Sequence, residues 1–207
     1  MKIIVIIVTI LNILIAQSEI NELSGFQIDT LYTDLQNSQI EWIGRKMTGE
    51  HSGTLGLLEG WVTMNDSIVI GGKFIFDLKS IKNNDIESPE WRLKLENHLK
   101  TEDFFHVDSF PQAILKIKEN NSLSKKNNLE SISLVHADLT IRGITNEISI
   151  LFRLNKSENN LTAIGSVDID RTLYNIKYKS GNYFFNLGDK IIYDDFTIKF
   201  TIHTLTF

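Results

Sequence analysis

Candidate binding chemistry is concentrated near the start of the chain, where Trp42, Lys46 and His51 follow one another. Alternate residues of a strand share a face, so Trp42 and Lys46 would point the same way. An indole beside an ammonium group suits an amphiphile, because the ring covers an apolar chain while the cation neutralises a phosphate or carboxylate. The same spacing also fits a core tryptophan with a lysine at the rim. The pattern alone leaves both interpretations open.

The other polar residues offer little for catalysis or metal binding. The sequence contains no Cys and five scattered His, so thiol chemistry is excluded and no tight metal-ligating pair is formed. Acidic residues near strand ends do not match a calcium-binding loop, and turn caps or solvated charges explain them. Neither an activated nucleophile nor a paired acid and base is evident. We therefore expect a protein that is not an enzyme and that uses no cofactor and no metal.

Composition places the chain among ordinary globular proteins. Its 207 residues are 42% hydrophobic and 23% charged, which is enough for one domain with a sizeable core. The formal net charge is −5. An acidic chain without a basic run offers no path for phosphates, so we expect no nucleic acid among its partners.

The first 17 residues have the parts of a secretory signal peptide. Met1 and Lys2 precede a mainly apolar run at 3–15, and Ala16-Gln17-Ser18 follows. A basic start, a short apolar core and small residues are typical of a cleaved leader, and the run is shorter than the ~20 residues that span a bilayer. We predict a signal peptide at 1–17 and a mature domain at 18–207 that is periplasmic or secreted. An uncleaved anchor is the alternative.

The clearest helical stretch lies at residues 88–111, between two long tracts with strand patterns. Ser88 can cap a helix, and the proline after it fits the first helical position. Trp91, Leu95 and Leu99 recur at every fourth residue and form one apolar stripe. We expect this helix to lie across an open end or face of the sheet and to bury the stripe there.

Most of the remaining chain alternates apolar and polar residues as strands do. Arg142-Gly143 marks the centre of a long hairpin, because glycine supplies the positive φ that such turns need. We expect a polar loop at 120–128 and a short extended segment at 183–187. The substantial strands are predicted at 38–46, 54–64, 67–78, 113–118, 129–141, 144–154, 161–170 and 190–207, after a short lead-in at 27–32. About eight antiparallel strands with one inserted amphipathic helix favour a barrel or sandwich over βαβ units.

Two motifs stand about 35–40 residues apart, and paired motifs are more specific than single ones. The first is LENHLKTEDFFHVDSFPQA at 95–113, and the second is DLTIRGIT at 138–145. In this order they resemble the two signatures of the YceI family, and the likeness extends from about Phe26 to the C-terminus. The stretch at 42–53 departs from the usual first-strand pattern and resembles a subgroup common in Bacteroidetes-type bacteria. Ala137 also replaces the glycine that usually precedes the second motif.

This resemblance implies a mainly β, lipocalin-like antiparallel β-barrel in an exported, usually periplasmic protein. Members of the family hold a long isoprenoid or similar amphiphile in the barrel lumen. Several are stress-induced or are associated with isoprenoid quinones. The resemblance thus implies a non-catalytic carrier of an isoprenoid or another long-chain amphiphile, and we also consider a homodimer.

Six residues are our candidates for the ligand site. We expect Trp42, Phe104 and Phe105 to line or gate the lumen, and Lys46, His51 and Arg171 to contact a polar head group. Two alternatives remain open at this point. The chain could be an integral outer-membrane β-barrel, which a signal peptide and about eight strands also fit. It could instead be an interaction protein whose closed core takes no ligand.

Overall fold

The computed structural model describes residues 28–65, 68–127, 130–157 and 160–205; the predicted signal peptide lies outside them. One α-helix is described, α1 (Pro89–Lys100), and two 3₁₀ turns, Arg171–Tyr174 and Gly188–Lys190, precede the last strand. No helix within these ranges is both long and apolar enough to cross a membrane. The strands are β1 (Ile28–Tyr32), β2 (Gln39–Lys46), β3 (Gly49–Asn65), β4 (Ile68–Asn83), β5 (Gln112–Asn127), β6 (Glu130–Ile141), β7 (Ile144–Lys156), β8 (Leu161–Asp170) and β9 (Ile192–His203).

Antiparallel pairing closes eight of these strands into a barrel. The circuit runs β3-β2-β9-β8-β7-β6-β5-β4, and β4 pairs again with β3. β1 lies along the second half of β3, with Ile28 opposite Asn65, and an isolated bridge joins Thr33 to Thr204. The predicted mainly β, lipocalin-like barrel with one inserted helix is confirmed. Closure removes the unpaired edges that an open sheet would present.

Strand β6 illustrates how alternation builds the interior. Val135, Ala137 and Leu139 point inward and are each at most 5% exposed, because successive side chains of a strand face opposite sides. On the outer wall, Lys118 Nζ lies 2.7 Å from an Asp138 carboxylate oxygen. The same alternation around the barrel gathers one apolar core inside it.

The turn between β6 and β7 forms as predicted. Arg142 has φ 53° and Gly143 has φ 73°, which is the pair of positive values that a two-residue hairpin turn requires. A Cβ at Gly143 would also stand 3.2 Å from the Phe110 ring. Glycine is therefore favoured there by both backbone and packing.

The helix begins where predicted, but its predicted apolar stripe is only partly buried. Pro89 is its first residue after Ser88. The predicted stripe is wrong at Trp91, which is 58% exposed, whereas Glu96 is only 4% exposed. The Glu96 carboxylate accepts the Asn83 N–H at 2.9 Å, and this bond ties α1 to the end of β4. A search for apolar periodicity misses such a contact because the buried residue is charged.

Two other predicted segments differ from the structure. The polar loop expected at 120–128 is wrong, since β5 continues to Asn127 and pairs with β6 over this length. The extended segment expected at 183–187 is also wrong, since these residues form turns and bends. Both predictions were made from local composition. In the first case, pairing with the neighbouring strand β6 overrides the preference of the local residues for a loop.

We expect Glu96→Ala to lower the free energy of unfolding by about 1–3 kcal/mol, because the Asn83 N–H would lose its buried acceptor. Glu90→Ala, at an exposed position of the same helix, should change it by less than about 0.5 kcal/mol. Urea unfolding followed by circular dichroism measures both values. Equal effects of the two substitutions would contradict an anchoring role for Glu96.

Candidate functional site

The barrel encloses a cavity of about 220 Å³. Nearly all of its lining side chains are apolar, and all eight barrel strands contribute to it. Inward-facing examples are Leu55, Phe74, Leu115, Val135, Phe152 and Phe200. An engineered apolar cavity of about 150 Å³ stays dry and binds benzene, so this space suits an apolar molecule or chain rather than water.

Buried and mainly apolar side chains line the cavity at both ends of the barrel. At the end that carries α1, Phe104 and Phe105 follow the helix and line the cavity. The Phe105 ring stands edge-on to Phe196, with ring centroids 6.3 Å apart. The helix thus borders this end, and the loop after it places Phe104 and Phe105 against the cavity. At the opposite end the lining residues are buried: Met64, Val69, Leu154, Leu161 and Thr204.

Arg171 holds together the segments around the α1 end. Its side chain is buried, and it donates to the carbonyls of Tyr193 at 3.0 Å, Ile176 at 2.8 Å and Ile192 at 3.0 Å. Its Nη2 also lies 3.2 Å from Asp194 Oδ1. Burial lowers the pKa of Arg171 and the neighbouring carboxylates raise it, but a guanidinium stays protonated at neutral pH. Arg171 therefore fixes the first 3₁₀ turn against the start of β9.

The barrel wall is interrupted between β2 and β9. Gly44 pairs with Phe196, but Lys46 pairs with Ile192, so two steps along β2 correspond to four along β9. Extra residues on one strand bend it and break the ladder locally. We call this interruption, at Arg45 on β2 and 193–195 on β9, the wall break.

Side chains at the wall break face both the interior and the solvent. Arg45, Ile192, Tyr193 and Asp195 line the cavity and also a second, more open pocket. Tyr193 is 46% exposed. Arg45 Nη1 donates to Thr197 Oγ1 at 2.8 Å. Because these four residues line both spaces, we take the wall break as the candidate mouth of the cavity.

The three residues predicted to line the lumen meet in this cavity. Trp42 points inward from β2, and its Nε1–H donates to the Lys82 carbonyl at 3.1 Å. Gly53 stands opposite Trp42 on β3, and a Cβ there would come within 2.7 Å of the indole. The glycine thus makes room for the ring. Trp42 lines the cavity together with Phe104 and Phe105, and their contact with a ligand stays a prediction.

The three predicted head-group residues are not brought together. Arg171 lines the cavity, whereas Lys46 and His51 do not. Lys46 is exposed at the end of β2, beside the wall break. The His51 Nδ1 lies 2.8 Å from Asp85 Oδ2. Burial raises the pKa of Asp85, but hydrogen bonds from a backbone N–H and from His51 outweigh it and leave that pKa below its usual value. A head-group role for these residues stays a prediction.

Sequence reasoning missed Arg45 and Tyr193, which stand at the mouth. Their neighbours were predicted as strands, and alternation gives no sign of where two strands separate. The only signals were Gly44 and the acidic pair Asp194-Asp195 within an otherwise apolar strand pattern. Both are common enough in strands that they would not have identified a mouth.

The histidines lie apart, each in its own local polar contact. The pairs are His51 with Asp85, His98 with Asp103, His106 with Ser109, His136 with Ser149 and His203 with Thr162. In the part of the chain that the structure describes, no three His, Asp or Glu residues are grouped so as to hold a metal ion.

Tyr174 is fully buried next to Arg171, and burial raises the pKa of its phenol to about 12. An unfolded tyrosine ionises near pH 10. Above about pH 10 the unfolded state therefore loses this proton before the folded state does, so stability falls as the pH rises.

We expect the free energy of unfolding to fall by about 2 kcal/mol between pH 10 and pH 12 through Tyr174 alone. Tyr174→Phe should remove this part of the fall and leave stability at pH 8 unchanged or higher. Urea unfolding at pH 8, 10 and 11.5 compares the two proteins. Parallel pH profiles would contradict the assignment, because all other titrating groups are the same in both.

Comparisons with known proteins agree with this geometry. The YceI-like domain model matches residues 31–204, and a search of the curated proteins finds no match. Among solved structures, the chain is similar to BcnA of Burkholderia cenocepacia, with a TM-score of 0.62 and 17% identity over 83% of this chain and 98% of that one. It is similar to a polyisoprenoid binding domain from Saccharophagus degradans implicated in plant cell wall breakdown, with a TM-score of 0.63 and 13% identity over 87% of this chain and 99% of that one. A Campylobacter jejuni YceI protein aligns with a TM-score of 0.51 and 14% identity over 70% of this chain and 78% of that one.

The similarity to solved structures shows that the fold is shared, and the match to the domain model shows the family. That match spans most of the chain and includes both sequence motifs, at 95–113 and 138–145. The likeness to a Bacteroidetes-type subgroup stays a prediction. The chain belongs to the YceI-like domain family.

Proposed function

We propose that this protein is an exported, non-catalytic carrier that holds an isoprenoid or a similar long-chain amphiphile inside its barrel. The enclosed apolar cavity of about 220 Å³ is the observation that carries the proposal. Each CH₂ group moved from water into such a space contributes about 0.8 kcal/mol. An apolar tail can therefore bind tightly without polar contacts, which suits a lining that offers almost none. The polyisoprenoid binding domain of similar fold supports the same ligand class.

The wall break is the place where a polar head group would remain in water. Arg45 stands there with its Nε 3.4 Å from Glu50 Oε2, and Lys46 is the next residue. Arg45 is thus paired with Glu50, and Asp194 and Asp195 line the same pocket. The attraction of a phosphate or carboxylate head to this place therefore rests on the exposed Lys46. In this arrangement the tail lies along Trp42 and Phe105, and the head stays beside Tyr193.

The distribution of polar residues favours a carrier over an integral membrane barrel. A membrane barrel needs an apolar outer band, but charged pairs stand on this outer wall. Lys118 lies 2.7 Å from Asp138 and 3.4 Å from Glu147, and Arg153 lies 3.1 Å from Glu130. The unfilled cavity likewise favours a carrier over an interaction protein with a closed core. The signal peptide predicted at 1–17 supports a periplasmic or secreted location, and isoprenoid quinones are one candidate cargo.

Native mass spectrometry of the protein exported by its own cells, followed by organic extraction, tests the proposal. We expect a one-to-one adduct that extracts as an isoprenoid or another long-chain amphiphile. Protein that arrives empty should take up farnesol in equilibrium dialysis. An empty protein that also takes up no farnesol would overturn the carrier function.

Gly44 offers a way to fill the cavity without disturbing the fold. It lines the cavity, and a Cβ at this position would meet no other atom within 4 Å. We expect Gly44→Phe to weaken farnesol binding about tenfold or more, because the ring would occupy space next to the mouth. The melting temperature should not fall, since replacing a strand glycine restricts the unfolded chain.

Gly71→Phe is the matched control for that substitution. Gly71 is also a strand glycine with open space around its Cβ position, its nearest neighbour being Thr63 Cβ at 4.0 Å, but it does not line the cavity. Its substitution should leave farnesol binding unchanged. Equal binding by both variants would show that the ligand does not occupy the barrel near Gly44.

The predicted head-group role of Lys46 has a separate test. We expect Lys46→Glu to weaken binding of farnesyl phosphate about three- to tenfold, because an exposed charge contributes up to about 1 kcal/mol and its reversal adds repulsion. Binding of farnesol, which has no charge, should not change. Lys156→Glu, an exposed lysine at the far end of the barrel, is the control. If Lys46→Glu bound both ligands like the parent, the head-group role would be lost.

A further inference from the structure

The loop before β9 presents three consecutive aromatic residues to solvent. Tyr183 is 47% exposed, Phe184 is 49% exposed and Phe185 is 89% exposed. Single exposed apolar side chains are common on protein surfaces, but contiguous ones mark interaction sites. We call residues 183–185 the aromatic tip.

Local hydrogen bonds hold the aromatic tip in place. The Phe184 N–H donates to the carbonyl of Ser180 at 3.0 Å, and Ser180 is itself fully buried. The side chain of Asn182 donates to Asp194 Oδ2 at 2.7 Å. The backbone reverses just after the tip, where Asn186 has φ 60°. The aromatic rings are therefore exposed on a supported loop.

The segment around the aromatic tip is basic although the chain is acidic. Residues 177–190 contain three lysines and one aspartate, in a chain of formal net charge −5. Lys177 Nζ lies 4.5 Å from the centre of the Tyr183 ring. Aromatic side chains beside lysines are the usual anchors at a membrane–water interface, where the rings enter the headgroup region and the cations attract anionic lipids.

The aromatic tip also lies next to the wall break. Gly181 and Asn182 line the same second pocket as Tyr193 and Arg45. The Tyr193 hydroxyl contacts the sulfur of Met47 at 3.6 Å, and Met47 is 55% exposed. Apolar side chains thus continue from the tip toward the mouth of the cavity.

We propose that the aromatic tip docks this face of the protein on an anionic lipid bilayer and places the wall break against the membrane. A role of docking in cargo transfer rests on the carrier function proposed above. Docking itself does not depend on that function. An amphiphile could then pass between bilayer and barrel with little exposure of its tail to water. A lipid surface fits this face because the loop that carries the exposed rings also carries three lysines, while the carboxylates of Asp194 and Asp195 lie at the pocket beside it.

Flotation with vesicles tests the docking. The exported full chain, its N-terminus determined by mass spectrometry, is mixed with vesicles of phosphatidylcholine alone or of phosphatidylcholine with phosphatidylglycerol at 3:1. We expect the parent to float with the anionic vesicles. Phe184→Ser with Phe185→Ser should lower its partition coefficient about tenfold or more, because two rings would no longer enter the interface.

A matched double substitution controls for lost apolar surface. Leu151 and Ile164 are 50% and 45% exposed on the outer wall, far along the sheet from the aromatic tip. Leu151→Ser with Ile164→Ser should float like the parent. Farnesol uptake in vesicle-free dialysis should be equal for all three proteins, which shows that the variants are folded and that their barrels are intact.

Three outcomes would decide against the docking proposal. Equal flotation of the parent and of the Phe184→Ser, Phe185→Ser variant would overturn it. An equal loss of flotation in the Leu151→Ser, Ile164→Ser variant would overturn it as well. Failure of the parent to float, together with a concentration-dependent dimer that the tip substitutions abolish, would assign the tip to a second copy of this chain. Tip-dependent flotation without farnesol uptake would instead sustain docking and overturn the carrier function.

Discussion

The pairing of β3 with β4 is the constraint on which the rest of the structure depends. β3 is 17 residues long, so it can meet β2 and β1 on one side and β4 on the other. This pairing converts a curved sheet into a closed wall, whose inner face is shielded from water. A barrel of about eight strands has room for packed side chains or for one small ligand. An open sheet of the same sequence would expose the apolar lining as a groove.

The cavity has a cost in stability. Empty apolar space lowers the free energy of unfolding by about 24 cal/mol per Å³, so a void of about 220 Å³ corresponds to a loss on the order of 5 kcal/mol. That is comparable with the whole net stability of many domains, ~5–15 kcal/mol. Side chains as large as leucine or phenylalanine at Gly44 or Ala163 could have filled part of this volume. An occupant of the lumen would restore the missing contacts.

Alternation predicted most of the strands well because it is a local property that survives folding, whereas the choice of a barrel over a sandwich came from the resemblance to the YceI family. The hairpin at Arg142-Gly143 and the strand at 161–170 followed from their own residues, and the inward position of Trp42 followed from the strand around it. The buried Glu96, the mouth at Arg45 and the surroundings of Arg171 did not, because each depends on residues far away in the chain. Registers between strands decide where a wall opens, and no single strand carries that information. The aromatic tip was likewise predicted as an extended segment, since its exposure depends on what lies beneath it.

The segments that follow the first and the last described strands meet at one end of this barrel. Thr33 bridges to Thr204, and the Leu205 N–H donates to the Tyr32 carbonyl at 2.8 Å. These contacts join residues at opposite ends of the chain, and such distant contacts slow folding because a long loop must close first. The ring of strands cannot be completed during synthesis until β9 has emerged. A chain that folds this late stays extended and accessible for longer than one built from local contacts.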